Sequence, residues 1–362
     1  MGAHAGTARV ALAGYGVGGS VFHAPFIDAE PRLELSAVVT SDPRRRSAVR
    51  DRYPDTVVMG SFDELLAGID QVDVVVISTP NRTHVSMAQS VLAEGRDVVV
   101  DKPVAPSAAE VRRLARMAAE GGRLLVPFHN RRFDGDFLTV AALLGSGRLG
   151  TLHRFESRYE RWLPEVGSGP QRSWKRDPTP GHATGILYDL GTHLIDQAAL
   201  ALGRPDAVYA EIDVRRPGAA VDDDVFVALH YPGGLRAHLW ASAVAAERGP
   251  RFRLLGSAGS YVKYGMDVQE AALVGGGRPS DAGWGAEPSE AWGTLTTSGG
   301  RQLEPTVPGA YQQFYAGLAA SLIEGAPPPV DAADAVVVAE IVEAARRSAG
   351  AGEVVALPRT AP

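Results

Sequence analysis

The chain has 362 residues, which is long enough for two domains of about 150 residues each. Its composition, 45% hydrophobic and 22% charged, is that of a globular protein with a sizeable core. The formal net charge of −6 argues against a general nucleic-acid-binding protein, and the absence of cysteine excludes disulfides, thiolate nucleophiles and cysteine-ligated zinc.

The sequence shows no targeting or membrane-spanning segment. Residues 1–9 lack the charged and then apolar pattern of a signal peptide, and no run of about 18 apolar residues occurs. We therefore expect no membrane partner, no nucleic-acid partner and a cytoplasmic location.

The first part of the chain alternates apolar strands with helices. Predicted strands lie at 10–13, 33–40, 72–77, 98–100 and 124–128, and predicted helices at 19–29, 84–94 and 107–120. Repeated β-α-β units of this length predict an α/β Rossmann domain with a parallel, doubly wound sheet, to which we assign residues 1–128.

The second part is dominated by strands. They are predicted at 152–162, 207–215, 224–231, 235–242 and 251–256, with helices at 137–144, 186–202, 310–324 and 332–348 and a loop at 275–300. Residues 129–362 thus form a predicted α+β domain for substrate binding and oligomerisation, with a large, mainly antiparallel open sheet. One face of that sheet lacks covering helices in the sequence, so we expect a homodimer or homotetramer.

A glycine-rich turn follows the first strand and opens a helix. Its residues, Gly14-Tyr15-Gly16-Val17-Gly18-Gly19, match the G-x-G-x-x-G pattern of dinucleotide-binding proteins. The first glycine allows the tight turn, the second lets the backbone approach the pyrophosphate, and the third allows close packing of helix on strand. The helix N-terminus then attracts the phosphates.

The end of the second strand indicates which dinucleotide is bound. Thr40 and Ser41 offer hydroxyl groups there, and Arg44 and Arg45 could pair with a 2′-phosphate. Asp42 either caps the following helix or points at the ribose, where it would favour NAD. We favour NADP as the cofactor, with NAD as the alternative.

Three further segments fall where strand ends and a helix deliver ligand contacts: Ser78-Thr79-Pro80-Asn81, Asp101-Lys102-Pro103 and Tyr188-Asp189-Leu190-Gly191-Thr192-His193. Together with the glycine-rich turn, they resemble the glucose–fructose oxidoreductase, inositol dehydrogenase and rhizopine catabolism family. Residues 21–26, 128–134, 186–193 and 261–265 look most like its branch of NADP-dependent scyllo-inositol dehydrogenases.

The resemblance implies roles for individual residues. It implies that Lys102 and His193 act in catalysis together with Asp189, and that the bond before Pro103 can be cis. The family's usual Glu-Lys-Pro begins here with the shorter Asp101. Further cofactor contacts are expected from the segment 78–81, Asp101, Lys102 and His84.

Alcohol oxidation requires such groups on chemical grounds. Asp189 and His193 are four residues apart, so in an α-helix they share a face, and the carboxylate could orient the imidazole. His193, with an ordinary pKa of about 6.5, suits a base, whereas Lys102 supplies a positive charge for a developing alkoxide. The sequence leaves open which of the two moves the proton. No third ligand at useful spacing suggests a metal, so we expect none.

Substrate contacts are expected from both parts of the chain. Lys102, Asp189 and His193 are candidates at the reacting carbon. His129, Asn130, Arg131, Tyr159 and Trp174 combine aromatic, basic and amide groups that suit a sugar or inositol ring. Each of these five could instead pack the domain interface.

The function favoured by these patterns is an NAD(P)-dependent dehydrogenase that interconverts a secondary alcohol of an inositol or sugar with its ketone. Two alternatives remain from the same resemblance. One is a glycosidase that uses NAD for transient oxidation, and the other is a dinucleotide-binding sensor without turnover.

Overall fold

A computed structural model of the chain describes residues 6–167, 173–179 and 181–358. Its first layer is a sheet of six parallel strands in the order β3-β2-β1-β4-β5-β6. The strands are β1 (Ala8–Ala13), β2 (Leu33–Val39), β3 (Val57–Met59), β4 (Val74–Ile77), β5 (Asp97–Asp101) and β6 (Leu125–Phe128). The predicted doubly wound sheet is confirmed. The strand order reverses between β1 and β4, and ligands of such sheets bind in the crevice at this point.

Helices cover both faces of this sheet. They are α1 (Ala24–Ala29), α2 (Pro43–Arg52), α3 (Phe62–Ala67), α4 (His84–Ala93) and α5 (Ala108–Glu120). Because β4 is buried on both faces, it consists of valine and isoleucine alone. The Ser107 hydroxyl caps α5 by accepting the N–H of Glu110 at 3.3 Å, as the sequence predicts.

The predicted helix at 19–29 differs in one respect. Residues Gly18–His23 form a π-helical turn, and α1 begins only at Ala24. The wider turn buries His23 completely, and its ring nitrogens contact the Tyr315 hydroxyl at 2.5 Å and the Asp101 carboxylate at 3.1 Å. Sequence periodicity does not reveal such a turn, because it arises from these distant contacts.

The second layer is a nine-stranded sheet in the order β14-β13-β12-β11-β7-β10-β9-β8-β15. Its strands are β7 (Leu152–Glu160), β8 (Ala207–Asp213), β9 (Asp224–His230), β10 (Arg236–Ser242), β11 (Phe252–Gly256), β12 (Gly259–Lys263), β13 (Gly293–Thr297), β14 (Gly300–Glu304) and β15 (Val355–Ala356). Every neighbouring pair is antiparallel except β7 and β10. The expectation of a mainly antiparallel sheet is therefore confirmed.

The prediction of a loop at 275–300 is wrong in its last part. Residues 293–297 form β13, which pairs with β12, and β14 begins at residue 300. The strand is short, and one large apolar side chain, Leu295, points from it into the core. Gly293 leaves room for the Tyr261 ring, which a Cβ at that position would strike. The glycine that suggests a loop is thus required by packing.

Five helices follow the parallel sheet along the chain: α6 (Gly135–Gly145), α7 (Thr192–Leu202), α8 (Gln269–Val274), α9 (Gln312–Glu324) and α10 (Ala332–Ala351). α6, α7 and α10 bury apolar side chains against the inner face of the second sheet. α9 instead packs its Phe314 and Leu318 into the core of the parallel sheet. None of the described helices is long and apolar enough to cross a membrane.

The outer face of the nine-stranded sheet carries an aromatic group that these helices do not cover. Phe226 and Trp240 have ring centroids 5.1 Å apart, and His238 packs edge-on against Trp240. The Arg158 guanidinium lies 3.8 Å from the Trp240 ring centroid. We call Arg158, Phe226, His238 and Trp240 the outer aromatic patch.

Candidate functional site

The glycine-rich turn forms an open cradle at the end of β1. Gly14 has a φ of +103°, and a Cβ there would strike the Ser78 carbonyl. A Cβ on Gly19 would strike the Gly14 carbonyl, so both glycines are required by close backbone packing. At Gly16, by contrast, no atom of the described residues lies within 4 Å of the Cβ position. This free space beside a helix N-terminus fits a pyrophosphate.

The remaining residues of the turn have different environments. A Cβ at Gly18 would meet the Ser78 hydroxyl, so this glycine lets the turn contact the loop after β4. Val17 is 48% exposed beside the cradle. Tyr15 is buried in the core of the parallel sheet, so it has backbone groups rather than its ring to offer a ligand.

The end of β2 presents hydroxyl and guanidinium groups. Thr40 is buried, whereas Ser41, Arg44 and Arg45 are exposed. Asp42 caps α2, because its Oδ1 accepts the N–H groups of Arg44 at 2.8 Å and of Arg45 at 3.2 Å. These bonds lower the pKa of Asp42 and direct its carboxylate to the helix end.

The loops after β4 and β5 are joined by buried polar contacts. The Ser78 hydroxyl donates to the Asp101 carboxylate at 2.6 Å, and the other oxygen of Asp101 contacts His23. His84 is fully buried, with its ring nitrogens 2.9 Å from the Thr79 carbonyl and 2.8 Å from the Pro103 carbonyl. Its ring therefore holds the two loops together, and the expected cofactor contact of His84 stays a prediction.

The rest of the segment after β4 lies at the edge of the crevice. Thr79, Pro80 and Asn81 are half-buried, and the Thr79 hydroxyl shares a 2.7 Å hydrogen bond with Thr83. The Asn81 side chain donates to the Ala183 carbonyl at 2.7 Å. Asn81 thus connects the parallel sheet to the segment that precedes α7.

Lys102 and Asp189 meet across the crevice. The peptide bond between Lys102 and Pro103 is cis. The Lys102 ammonium donates to the Asp189 carbonyl and lies 3.4 Å from its Oδ1. Lys175 binds the same carboxylate oxygen at 2.6 Å. One carboxylate is therefore shared by two lysines.

Burial and charge set the protonation of these groups. Burial lowers the pKa of Lys102 to about 8, although the neighbouring Asp189 charge opposes the change. Burial alone would raise the pKa of Asp189, but the charges of Lys102 and Lys175 outweigh it and hold that pKa well below its usual range. Lys102 is therefore able to change protonation close to neutral pH, whereas Asp189 stays negative.

His193 lies in the first turn of α7 and is 7% exposed. Its Nδ1 is buried without a hydrogen-bond partner among the described residues. Burial, reinforced by the positive charge of Lys102, holds the pKa of His193 well below its ordinary value. The imidazole is neutral at neutral pH and keeps a free ring nitrogen.

The expected orientation of His193 by Asp189 is wrong. Residues Leu187–Gly191 form a π-helical turn, so the four-residue spacing does not bring the two side chains onto one α-helical face. The Asp189 carboxylate binds the two lysines instead.

The residues that follow β6 are buried, but their surroundings differ. Arg131 donates to the Tyr159 hydroxyl at 2.9 Å and to Glu270 at 2.5 Å, so its guanidinium is used by protein partners rather than offered to a substrate. His129 is buried, its Nδ1 lies 3.7 Å from the Asp196 carboxylate, and burial lowers its pKa. Asn130 is 6% exposed.

Two residues complete this region. Tyr159 is buried, and its hydroxyl also accepts a bond from Arg161 at 2.7 Å. The Trp174 side chain lies outside the described part of the chain. Sequence reasoning missed Lys175, although the basic pair that follows Trp174 was a signal for it.

A cavity of about 280 Å³ opens beside Asp189. Its described wall combines groups from the parallel sheet, the π-helical turn and the second sheet: Asn81, Arg161, Leu163, Val166, Gly167, Lys175, Arg176, Ala183, Thr184, Gly185, Ile186, Asp189, Leu190, Arg216, Val221, Asp222 and Ala243. Within the described ranges, no group of three or more histidine, aspartate or glutamate side chains could hold a metal ion.

Comparison with known families covers both parts of the chain. A family described as "Oxidoreductase family, NAD-binding Rossmann fold" matches residues 8–129. A second, "Oxidoreductase family, C-terminal alpha/beta domain", matches residues 141–357.

Individual relatives agree with these matches. The scyllo-inositol 2-dehydrogenase (NADP(+)) of Bacillus subtilis is 37% identical over 346 residues, which is 94% of each chain. A D-xylose 1-dehydrogenase (NADP(+)) of Haloferax volcanii is 31% identical over 58% of this chain and 62% of its own. A solved oxidoreductase from Yersinia pestis superposes with a TM-score of 0.89 at 36% identity, with all of both chains covered.

The cradle at Gly16 leads to a first prediction. A methyl group at Gly16 enters free space, so Gly16→Ala should keep the wild-type urea midpoint. Because it fills the space that a pyrophosphate needs, it should weaken NADPH binding at least ~10-fold in a fluorescence titration. Gly145→Ala, whose methyl group also enters free space, is the control and should change neither quantity. Unchanged NADPH affinity in Gly16→Ala would argue against this cradle as the phosphate site.

Proposed function

The chain belongs to the glucose–fructose oxidoreductase, inositol dehydrogenase and rhizopine catabolism family of NAD(P)-dependent oxidoreductases, and on this premise we propose that it oxidises a secondary alcohol of an inositol or sugar to the ketone, with NADP as preferred cofactor. The reverse reduction uses the same groups. The Bacillus subtilis relative, a scyllo-inositol 2-dehydrogenase that uses NADP, supports this substrate class.

The observation that carries the proposal is the position of Lys102. Its ammonium contacts Asp189, which lies on the wall of the cavity. Lys102 follows Asp101, which lies beside the Gly18 turn at the carboxyl end of the parallel sheet. A substrate alcohol at the Asp189 end of the cavity would therefore lie close to a titratable amine.

We assign the proton transfer to Lys102. A base works best when its pKa is near the operating pH, and Lys102, with a pKa of about 8, meets this condition better than His193. The neutral amine takes the hydroxyl proton, and the free nitrogen of His193 binds the same oxygen. The bound dinucleotide supplies the hydride acceptor for the alcohol carbon. Asp189 keeps the new ammonium in place.

The two parts of the chain divide the work in this proposal. Residues 1–128 bind the dinucleotide, and residues 129–362 complete the substrate site and the oligomer. His129, Asn130 and Tyr159 are proposed to hold the ring of the substrate. Among these, His129 has its Nδ1 3.7 Å from the buried Asp196 carboxylate, which would orient the ring.

The choice of NADP rests on the end of β2. The Asp42 carboxylate is bound to the N-terminus of α2 and does not have to repel a 2′-phosphate. Thr40, Ser41, Arg44 and Arg45 provide hydroxyl and guanidinium donors nearby, which suit a phosphate better than a ribose hydroxyl.

A catalytic prediction follows. Lys102→Ala and His193→Ala should each lower kcat at least ~100-fold, because each removes a group that acts on the reacting oxygen. NADPH binding should survive in His193→Ala, which controls for misfolding. The assay is net NADPH formation at 340 nm with a panel of inositols and sugars. Co-purified NAD without net reduction would instead favour the glycosidase alternative, and binding without turnover the sensor.

The pH dependence of kcat/KM tests the assignment of proton transfer to Lys102. Lys102 loses its proton as the pH rises, so kcat/KM for oxidation should rise with pH through about 8. The Asp189 charge raises the pKa of Lys102, so Asp189→Asn should move this rise to lower pH. A rise that stays in place in Asp189→Asn would contradict proton transfer by Lys102.

Cofactor choice is tested by replacing two arginines. Arg44→Ala combined with Arg45→Ala should raise KM for NADP at least ~10-fold and leave KM for NAD nearly unchanged, because each charged hydrogen bond is worth about 1.5–3 kcal/mol. Arg50→Ala in the last turn of α2 is the matched control. Higher kcat/KM with NAD in the wild-type enzyme would overturn the NADP assignment.

We also propose that the outer aromatic patch lies in the interface of a homodimer or homotetramer, since its aromatic side chains are half-buried on a sheet face that the described helices leave uncovered, and such apolar surfaces often mark interfaces. Light scattering at micromolar concentration should report the oligomer. Trp240→Asp should shift it towards the monomer, whereas Val274→Asp, a charge placed on the 69% exposed side chain of α8, should not. A wild-type monomer would contradict this proposal.

A further inference from the structure

The cavity beside Asp189 has an excess of positive charge. Its described wall holds four cationic and two acidic side chains: Arg161, Lys175, Arg176 and Arg216 against Asp189 and Asp222. Lys102 adds a further cation behind Asp189. Which of these charges is left for a ligand depends on the partner that each side chain has within the protein.

The two acids of the wall are already bound within the protein. Asp189 is shared by Lys102 and Lys175. Asp222 accepts the N–H of Leu187 at 2.8 Å and lies 3.3 Å from Arg346. Neither carboxylate is thus left to compensate a further cation.

The four cations of the wall are not used alike. Arg216 forms a 2.8 Å ion pair with Asp223, which is buried behind the wall. The charge of Arg216 is therefore compensated. Arg161 follows β7, and its guanidinium contacts the neutral Tyr159, by a 2.7 Å hydrogen bond to the hydroxyl and at 5.0 Å from the ring centroid. No carboxylate of the described residues lies within ion-pair distance of Arg161.

Tyr159 fixes the position of Arg161, which acts on Asp189 only from beyond ion-pair distance. Its hydroxyl is held from the other side by Arg131, which is buried against Glu270. Arg161 is therefore anchored at one end, half-buried, and faces the same cavity as Asp189. A guanidinium held in this way pairs strongly with an oxyanion, because charged hydrogen bonds are about twice as strong as neutral ones.

We propose, building on the dehydrogenase function above, that the substrate is a single-ring polyol or sugar that carries an oxyanion, a carboxylate or a phosphate, which Arg161 binds. The volume of about 280 Å³ lies at the small end of ligand pockets, which range from about 300 to 1,000 Å³, and so suits a ligand with one ring. The oxyanion faces Arg161, and the alcohol that reacts lies at the Asp189 end of the cavity.

Binding can be measured apart from turnover. Enzyme saturated with NADPH is titrated calorimetrically with D-glucuronate, D-glucose 6-phosphate and D-glucose. We expect at least one anionic probe to bind at least ~10-fold more tightly than glucose, and its affinity to fall as salt is raised. The carboxylate and phosphate arms distinguish the two sources of the oxyanion.

Three variants assign the effect to the residue. Arg161→Gln should abolish the preference for the anionic probe over glucose, and Arg161→Lys should restore part of the preference. Arg154→Gln removes a charge from the exposed, outward side of β7 and should have no effect. Equal affinity for the anionic probes and glucose, no measurable binding of either anionic probe, or equal loss in Arg161→Gln and Arg154→Gln would overturn the inference.

The outcomes separate this inference from the proposed function. Reduction of NADP by neutral polyols without a preference for anionic probes would leave the dehydrogenase intact and reject the oxyanion site. A preference for an anionic probe that depends on Arg161, with no net reduction of NADP by any polyol or sugar acid, would support the oxyanion site and reject the dehydrogenase.

Discussion

The contact between Lys102 and Asp189 joins the two sheets at the site where we propose that the chemistry takes place. Lys102 directly follows the fifth parallel strand, and Asp189 lies in the π-helical turn before α7. Burial makes the lysine titratable near neutral pH, and the Asp189 charge opposes this change. The lysine charge in turn keeps the carboxylate ionised. A shift of either backbone would separate the largely buried Lys102 ammonium from Asp189, which is costly, so this pair helps to hold the two sheets in register.

A second set of polar contacts surrounds Asp101, the residue before Lys102. Asp101, the acid that is shorter than the family's usual glutamate, binds the Ser78 hydroxyl and the His23 ring, and His23 reaches Tyr315 on α9. The glycine turn can approach Ser78 closely because Gly18 has no side chain. The glycine-rich turn, the Lys102 segment and α9 are thereby linked through the carboxylate of Asp101.

Much of the fold could be predicted from the sequence, because the parallel strands are uniformly apolar and the glycine turn has a local signature. β4 and the turn at Gly14 needed no distant contact to be recognised. The π-helical turns and β13 were missed, since each depends on partners far along the chain, such as Tyr315 and Tyr261. For the same reason the spacing of Asp189 and His193 misled the assignment of their contact, and the role of Lys175 was not seen.

The parallel pairing of β7 with β10, alone among the described pairs of the nine-stranded sheet, has a consequence for how the protein folds. Parallel neighbours cannot be joined by a tight turn, so the chain from residue 161 to 235 must cross over between them. That crossover contains α7 and most of the cavity wall. Pairings so distant in sequence close late and slowly, because loop entropy is lost before the contacts form. The helix that carries His193 is therefore fixed in place by one of the least local steps of folding, so local helix formation cannot by itself assemble the candidate site.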